Sequence, residues 1–457
     1  MAIEQDVLVI GGGIAGLTAA MVAARDGVDV RLVSAAETTL HHASGLLDVM
    51  GYPPDAAEGD AGSGDGPDDG NDDRPARNPF EAIDALPASH PYSIVGESAV
   101  RAGLETIDDA LGTTYRGAHT DRNALVVTYG GRVKPTARYP ASVASGLASV
   151  AQDTLFVGFE RLTALDPNAL AHYARSDLPF EARAATVEFP VVVRDDSVVT
   201  RFARLLDRNP AVDGDAAVER DAAVERNPSV EGKPSVRALL ADRIAAHLGD
   251  AERVGLPAVL GIDRPGAVRS DLEAHLGRPV FEVPMGPPSV LGQRLNDRLY
   301  GALSAAGATI ETGNPVVDFD AERGSIVRVA LDRSGQRIPY VADQIVLATG
   351  GVTGGGITDD DERLQESVFD CPLVQPDDRD GWIDRDPFGD HGVARAGVRI
   401  DRTLRPVDGA GHPAFDNLRA AGAVIGGYDP AAEKSGSGVS IATGYAAGLA
   451  AAREVQT

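Results

Sequence analysis

Hydrophobic runs at the start of the chain predict a βαβ unit. The segments DVLVI at Asp6 and VDVRLV at Val28 have the length and β-branched content of buried strands. Between them, apolar and small residues recur at helical spacing, so we expect a helix over Ile14–Arg25. A strand, a helix and a second strand in this order are typical of a parallel sheet.

The C-terminal part of the chain also alternates between strands and helices. One face of a predicted helix carries the leucines Leu291, Leu295, Leu299 and Leu303, and the strand ATIETG follows it. The segments VVDFD, SIVRVAL and RIPYVADQIVLATG then predict a meander that ends in a buried strand. A strand in NLRAAGAVIGGYDP, a glycine loop and an alanine-rich helix complete the pattern. This alternation indicates an α/β fold.

The patterns between residues 89 and 284 are mixed, which predicts an α+β domain inserted into an outer domain of residues 1–88 and 285–457. Two segments lack any periodic pattern. Residues 51–79 are rich in Gly, Asp and Pro and are predicted to be disordered, because they cannot bury enough surface to offset their ordering entropy. Residues 207–236 repeat the motif DAAVER and form a second, low-complexity insert. Neither insert is expected to carry chemistry.

The net charge of the chain limits which partners it can bind. The 457 residues include 42 basic and 68 acidic side chains, a net charge of −26, so nucleic acid and anionic lipid are poor partners. Only 3 of the basic residues are lysine, and an acidic, arginine-rich surface suggests adaptation to concentrated salt, where ions screen self-repulsion. No apolar run approaches the ~18 residues of a membrane span, and the start lacks the basic segment of a secretion signal. We therefore expect a cytoplasmic chain without direct membrane insertion.

Glycines directly after the first strand form the motif G-x-G-x-x-G. Gly11, Gly13 and Gly16 lie between DVLVI and the predicted helix. Glycine allows a tight turn and a close approach to a phosphate, and the free N–H groups of the helix start favour an anion. Because the motif lies in a complete βαβ unit, it predicts nucleotide binding rather than a structural turn.

The end of the second strand bears on which nucleotide is bound. Proteins that hold an adenosine ribose place an acidic residue there, whereas this chain has Ser34, and the nearest acid is Glu37. The spacing leaves Glu37 open as a ribose ligand. The missing acid at the strand end favours FMN over FAD or NAD, because FMN needs a phosphate cradle and no ribose ligand.

The loop after this strand supplies candidates for chemistry. His41, His42, Ser44 and Gly45 lie where the ligand crevice of an open α/β sheet forms, at the carboxyl ends of the strands. His41 or His42 is therefore a candidate proton donor. Ser44 and Gly45 are candidate cofactor ligands.

Later glycine clusters add further cofactor candidates. Thr349 and Gly350 end the strand QIVLATG, where a glycine lets a cofactor pass close to the chain. The last loop adds Gly422, Gly436, Ser437 and Gly438. The start of the final helix, near Val439, is expected to direct its N–H groups at an anion such as a reduced flavin ring.

A few charged residues and the single cysteine complete the candidate set. Lys134 and Lys434 are two of the 3 lysines, and their retention suggests a compact charge in a site. Arg138 and Arg294 are candidates for a phosphate clamp, although surface ion pairs are the usual role of arginine. Cys371 is the only cysteine, which excludes a four-thiolate iron–sulfur cluster from this chain alone, and no metal site is predicted.

These features together resemble one family, the B subunits of anaerobic glycerol-3-phosphate dehydrogenases. The segments that carry the resemblance are VLVIGGGIAGLTAA, LHHASGLLDVM, HPYSIVG at His90, GPPSVLGQRLNDRL at Gly286, IVLATGG, and AGAVIGGYDPAAEKSGSGVSIATGYAAGLAAA. They extend from end to end of the chain, and the two acidic inserts are the main departures. The HPYS and PPSVLGxRL segments are far more specific than the glycine motif.

The resemblance implies a Rossmann-like FAD/NAD(P)-binding flavoprotein fold in which residues 89–284 form a cap, as in fumarate-reductase-type flavoproteins. It implies an FMN-bearing subunit that works with an FAD-bearing A subunit and an iron–sulfur C subunit at the inner face of the membrane. The overall reaction would convert sn-glycerol 3-phosphate and quinone to dihydroxyacetone phosphate and quinol. Because no residue stands out as the catalytic base, we expect this chain to relay electrons.

Two other functions stay open. The chain could be a stand-alone soluble FAD-dependent reductase or dehydrogenase that performs its own substrate chemistry. It could also be a structural subunit that no longer holds a cofactor. The intact set of Gly11, Gly13 and Gly16 argues against the structural subunit.

Overall fold

The protein is described here by a computed structural model that covers residues 2–54, 74–193, 199–212, 217–218, 233–360, 363–386 and 389–457. The strands of the two main sheets are, in chain order, β1 Ile3–Ile10, β2 Val30–Ser34, β3 Thr154–Phe159, β4 Ala182–Val187, β5 Arg253–Pro257, β6 Val280–Val283, β7 Thr309–Thr312, β8 Val316–Glu322, β9 Ser325–Arg333, β10 Gln336–Leu347 and β11 Leu418–Ala420. The longer helices are α1 Ile14–Arg25, α2 Glu97–Leu111, α3 Pro167–Asp177, α4 Val199–Arg208, α5 Val236–Leu248, α6 Pro265–Leu276, α7 Val290–Ala305 and α8 Gly436–Val455.

Shorter elements join these. Short helices span Pro79–Ile83, Pro91–Val95 and Pro430–Glu433. Short strands pair as ribbons at Tyr115–Arg116 with Tyr139–Pro140, Ala124–Val127 with Val133–Thr136, Val191–Val192 with Ala217–Val218, Ile357–Asp359 with Leu364–Glu366, and Leu373–Val374 with Gly397–Ile400 and Pro406–Val407.

The larger sheet has the strand order β7-β2-β1-β10-β9-β8, and β11 pairs with the end of β10. The strands β7, β2, β1, β10 and β11 are parallel, and β8, β9 and β10 form the predicted antiparallel meander. The βαβ unit of β1, α1 and β2 is confirmed, with α1 at its predicted bounds. The carboxyl ends of β1, β2 and β10 therefore meet at one edge of the sheet.

Helix α8 is rich in small residues because it packs very closely on α1. A Cβ atom at Gly444 would overlap the backbone of Ala15, and one at Gly448 would overlap the backbone of Ala19. Glycines four residues apart lie on one face of a helix, so they let the two backbones approach. The pair of helices covers the parallel sheet and holds the start of α1 at its edge.

The inserted region differs from the predicted α+β domain. Its sheet, ordered β6-β5-β3-β4, is parallel throughout, because α3 and the later helices provide crossover connections between its strands. Antiparallel ribbons accompany this sheet. The predicted start of the insertion at residue 89 also differs from the observed packing, since Tyr92 and the buried face of α2 belong to the hydrophobic core of the larger sheet.

The ends of both predicted inserts, residues 51–79 and 207–236, belong to the packed structure, so both predictions extended too far. Gly51 is buried, its carbonyl accepts a hydrogen bond from the N–H of Ala76, and Pro79 begins a short helix and is buried. Asp207 and Val236 are also buried within helices. Residues 55–73 and 219–232, on which these predictions mainly fall, lie outside the described residues. Within the described part of the chain, no helix has the length and apolar character that a membrane span requires.

Candidate functional site

A cleft of about 360 Å³ opens at the carboxyl ends of β1, β2 and β10. Its walls come from the glycine turn after β1, the segment after β2, the start of β8 and the turn after β10. The lining residues are 10–13, 33–39, 314–316, 348–350, 354–355 and 367–368. We call this the nucleotide cleft. It lies where the topology of an open α/β sheet predicts a ligand site.

The glycines of the turn have different physical roles. Gly11 has φ +124°, and a Cβ there would overlap the carbonyl oxygen of Ala348 on β10. A Cβ at Gly16 would overlap the carbonyl oxygen of Gly11. At Gly13, by contrast, no atom lies within 4 Å of the Cβ position, although this residue lines the cleft. Gly11 and Gly16 therefore shape the turn, and Gly13 leaves room for a ligand.

The start of α1 suits an anion. Gly13 is the N-cap residue and offers no side-chain hydrogen bond, and the first turn contains no acidic residue. The first N–H groups of a helix have no partner within the helix, and the helix dipole makes this end positive. The cleft therefore combines an open Cα position with backbone N–H donors, which are the features of a phosphate cradle.

The turn after β10 contributes a polar group that lacks a partner. The hydroxyl Oγ1 of Thr349 is buried, lines the cleft and forms no hydrogen bond with any described residue. A buried hydroxyl without a partner is unfavourable by about 1–3 kcal/mol, which a polar ligand can relieve. Gly350 follows with φ +84° and also lines the cleft. The residues present therefore fit a bound nucleotide. Thr349 and Gly350 both line the cleft, and their role as cofactor ligands stays a prediction.

Ser34 and Glu37 both line the cleft beyond the glycine turn. Ser34 ends β2, and its hydroxyl donates a hydrogen bond to the carbonyl of Ala36 at 3.0 Å. The Glu37 carboxylate lies 3.7 Å from Nδ1 of His41, and its side chain is 88% exposed. Glu37 is therefore free to turn toward a ligand hydroxyl group. The cleft extends along this segment to Asn314, next to the end of β7.

The predicted proton donors do not reach the cleft lining. His41 and His42 end a short 3-10 helix, Thr39–His42, and His42 is exposed. Ser44 accepts a hydrogen bond from the N–H of Leu46 at 3.4 Å. Gly45 has φ +74°, and its Cβ position is 2.7 Å from Cβ of Leu291 in α7. The structure thus places these residues in a loop that packs on α7, and their roles stay predictions.

The C-terminal candidates lie apart from the cleft lining as well. A Cβ at Gly422 would lie 2.6 Å from Cβ of Ala15, and one at Gly436 would lie 3.2 Å from Cβ of Pro430. A Cβ at Gly438 would overlap the hydroxyl of Tyr92. These glycines permit close packing around the starts of α1 and α8.

The start of α8 is already capped by protein. The N–H of Ser437 donates to Oδ1 of Asp48 at 2.9 Å, and the hydroxyl of Ser437 also contacts this carboxylate. Nζ of Lys134 lies 2.9 Å from Oδ2 of Asp48. Burial acts to raise the pKa of Asp48, but Lys134 and Ser437 outweigh it, so the pKa is lowered. The sequence predicts that the start of α8 faces an anion of the cofactor. At Ser437, the carboxylate of Asp48 takes this position instead.

A second buried network beside Asp48 was missed from the sequence. Nδ1 of His90 accepts a hydrogen bond from the N–H of Tyr92 at 3.1 Å, so Nε2 carries the proton and donates to Glu433 at 3.2 Å. The hydroxyl of Ser435 donates to the same carboxylate at 2.7 Å. The residues of this network lie in the HPYS and EKSGSG segments of the sequence. Only the fold shows that these two segments are in contact.

Arg138 and Arg294, the remaining charged candidates, form ion pairs with carboxylates of the protein itself. Arg138 is buried and donates to both carboxylate oxygens of Asp108, at 2.7 and 2.9 Å. Arg294 donates to the buried carboxylate of Glu282 at 2.6 and 2.9 Å. Their guanidinium groups are thus largely occupied, which removes the basis for a phosphate clamp at either residue.

Lys434 and Cys371 also contact other parts of the protein and do not line the nucleotide cleft. Nζ of Lys434 donates to the carbonyl of Ala431. Cys371 is buried, and burial together with Glu366 raises the pKa of its thiol well above the ordinary value. A thiol in this environment is a poor metal ligand and a poor nucleophile.

The chain is similar to several known proteins. The chain matches the family described as FAD binding domain over residues 6–439. It is 53% identical, over 100% of this chain and 99% of the relative, to the probable B subunit of the anaerobic glycerol-3-phosphate dehydrogenase of Halobacterium salinarum. It is 29% identical, over 96% of both chains, to the B subunit of the anaerobic glycerol-3-phosphate dehydrogenase of Pectobacterium atrosepticum. Among solved structures, the open form of a flavocytochrome c3 fumarate reductase matches with a TM-score of 0.43 and 12% identity, over 100% of this chain and 79% of that chain.

Proposed function

Because the chain belongs to the FAD binding domain family and, within it, to the B subunits of anaerobic glycerol-3-phosphate dehydrogenases, we propose that it is the electron-relay flavoprotein subunit of such an enzyme. The complex would oxidise sn-glycerol 3-phosphate to dihydroxyacetone phosphate and reduce a membrane quinone to quinol. A bound flavin supplies the ability to take up two electrons and to release them singly. Oxidation of the substrate itself is assigned to the partner subunit.

The nucleotide cleft is the observation that carries this proposal. The start of α1 and the open position at Gly13 would hold the flavin phosphate. The hydroxyl of Thr349 and the turn at Gly350 would contact the cofactor from the neighbouring turn after β10. Ser44, Gly45, Gly422 and the start of α8 stay candidates for more distant contacts.

The extent of the cleft bears on the form of the flavin. The absence of an acid at Ser34 favours FMN. However, the cleft continues past Ser34 to Glu37 and Asn314, which gives an adenosine room beside β7. The exposed carboxylate of Glu37 can accept hydrogen bonds from ribose hydroxyls. These residues and the name of the family support FAD, and we propose FAD with Glu37 as the ribose ligand in place of FMN.

The electron path requires other chains. A single, buried cysteine cannot supply the four thiolates of an iron–sulfur cluster. We therefore propose an FAD-bearing A subunit and an iron–sulfur C subunit as partners. Through them the chain would be attached to the inner face of the cell membrane.

The test has two parts. Protein purified in molar KCl is denatured, and the released cofactor is identified by its absorbance and mass. The native protein is then mixed with glycerol 3-phosphate under anaerobic conditions, alone and with the partner subunits, and the flavin absorbance is followed. A released FAD that stays oxidised alone and is reduced with the partners is the expected result.

The other outcomes separate the alternatives. Reduction of the flavin in the isolated chain would move substrate oxidation into this chain and support a stand-alone dehydrogenase. A protein that holds no flavin in either preparation would support a structural subunit. Release of FMN would keep the relay function and remove the proposed role of Glu37.

A further inference from the structure

A second cavity, of about 520 Å³, lies between α7 and the inserted domain. Its lining residues are 113–116, 140–142, 262–263, 265–266, 269, 291, 294 and 297–298. We call it the interdomain cavity. It shares no lining residue with the nucleotide cleft, so the two are separate sites.

Arginines surround this cavity, and they differ in whether a carboxylate neutralises them. Arg294 is paired with the buried Glu282, and Nη1 of Arg269 lies 3.2 Å from Glu273. Arg116 donates only to backbone carbonyls, and Arg298 forms no hydrogen bond or ion pair with any described residue. Both guanidinium groups therefore keep free donors at the cavity, although the chain carries a net charge of −26. Guanidinium groups with free donors recognise phosphate and carboxylate groups.

Two buried acids near the cavity, Asp207 and Glu282, hold its wall, and neither of them pairs with Arg116 or Arg298. The carboxylate of Asp207 accepts hydrogen bonds from the N–H groups of Ile262 at 2.6 Å, Asp263 at 2.9 Å and Arg264 at 3.0 Å. The carboxylate of Glu282 likewise accepts from the N–H of Leu260 at 2.7 Å. The loop before α6 is therefore fixed before any ligand arrives, which lowers the entropy cost of binding.

The other polar groups of the lining suit hydroxyl groups. The carboxylates of Asp263 and Asp297 and the hydroxyls of Thr113 and Thr114 line the cavity. The hydroxyl of Ser142, also in the lining, is buried and forms no hydrogen bond with any described residue. Carboxylates accept hydrogen bonds from ligand hydroxyls, and they repel a ligand that is only an anion.

We propose that the interdomain cavity binds a small molecule that carries a phosphate or carboxylate group together with hydroxyl groups. Arg116 and Arg298 bind the anionic group, and Asp263 and Asp297 bind the hydroxyls. The proposal does not rest on the flavin function, because no residue of the nucleotide cleft takes part.

The test is isothermal titration calorimetry on the full chain at a fixed KCl concentration. The probes are glycerol 3-phosphate, glycerate, inorganic phosphate and, as the uncharged control, glycerol. We expect glycerol 3-phosphate to bind and glycerol not to bind. Arg298→Gln should weaken the binding about tenfold, or about 1.4 kcal/mol. Arg116→Gln is the second variant, in case the first affects folding.

The control is Arg453→Gln, because Arg453 is also an exposed helical arginine without a partner among the described residues. It should leave the affinity unchanged. Tighter binding of glycerol 3-phosphate than of glycerate would identify phosphate as the anionic group, and the reverse order would identify carboxylate. The proposal is overturned if none of the anions binds, if both cavity variants keep the wild-type affinity, or if Arg453→Gln weakens binding equally. Persistence of binding in a flavin-free Gly13→Asp variant would separate this site from the cofactor site.

Discussion

Gly13 is the residue at which a single side chain should decide whether a cofactor binds. Asp at this position would place a side chain and a negative charge in the open space beside the first N–H groups of α1. We expect Gly13→Asp to lose the bound flavin, measured as visible flavin absorbance per mole of folded protein.

A matched control exists for this variant. Gly130 is exposed, and its Cβ position is also free of other atoms. Gly130→Asp therefore adds the same charge away from the cleft and should retain the flavin. Normal flavin occupancy in Gly13→Asp would contradict the assignment of the phosphate cradle.

Lys134 should matter for stability because it neutralises a buried carboxylate. The lowered pKa of Asp48 stabilises the fold above the ordinary aspartate pKa of 3.8, and this stabilisation is lost as the pH falls below it. Without Lys134, only the hydrogen bonds from Ser437 oppose the effect of burial, so we expect the pKa of Asp48 to rise. We expect Lys134→Met to lower the free energy of unfolding by about 2 kcal/mol at pH 7.

Denaturant titrations at several pH values check this expectation. The difference between Lys134→Met and the wild type should shrink as the pH falls and close only below 3.8, as the pH passes through the lowered pKa of Asp48 and Asp48 becomes protonated in both proteins. Lys434→Met is the control, since the ammonium group of Lys434 donates to a backbone carbonyl and forms no ion pair with a described carboxylate. It should change stability by less than about 0.5 kcal/mol. A difference that stays constant with pH would show that the ion pair is not the cause.

At the scale of elements, residues 55–73 should be dispensable. Their composition offers no periodic apolar positions, and the hydrogen bond from Ala76 N–H to Gly51 O, 2.7 Å long, brings the flanking segments together. We expect replacement of residues 55–73 by a short Gly-Ser linker to leave the melting temperature unchanged.

A longer deletion, of residues 51–79, should be compared with the replacement of residues 55–73. Removing residues 51–79 also removes the buried Gly51 and Pro79 and the short helix start. This variant should melt at a lower temperature or fail to fold, measured by circular dichroism in molar KCl. Equal melting temperatures for both deletions would show that the packed ends contribute nothing.

Local patterns predicted the elements of the larger sheet but not its long-range contacts. The apolar alternation and the glycines around Ile14–Arg25 were sufficient to predict the βαβ unit and the nucleotide cleft, because these signals act within a few residues. The pairing of Asp48 with Ser437 joins positions 389 residues apart, so no local pattern contains it. For the same reason the sequence did not show that Arg138 pairs with Asp108 or that Arg294 pairs with the buried Glu282.

For the whole molecule, the net charge of −26 should make stability depend on salt. Repulsion among surface carboxylates extends over about 10 Å at 0.1 M salt and about 3 Å at 1 M. We expect the melting temperature to rise by at least about 5 °C between 0.1 M and 2 M KCl.

A charge-reduced variant distinguishes this repulsion from a general effect of salt on hydrophobic burial. Exposed acids that form no side-chain hydrogen bond or ion pair with described residues are replaced by their amides, namely Asp84→Asn, Glu105→Gln, Glu160→Gln, Asp177→Asn and Asp377→Asn. These changes reduce the formal charge from −26 to −21. Because fewer charges then repel each other, the variant should melt at a higher temperature than the wild type in 0.1 M KCl and gain less from added salt. Equal slopes for both proteins would assign the salt effect to the hydrophobic core, and equal stability of the wild type in dilute and molar KCl would remove the case for an adaptation to salt.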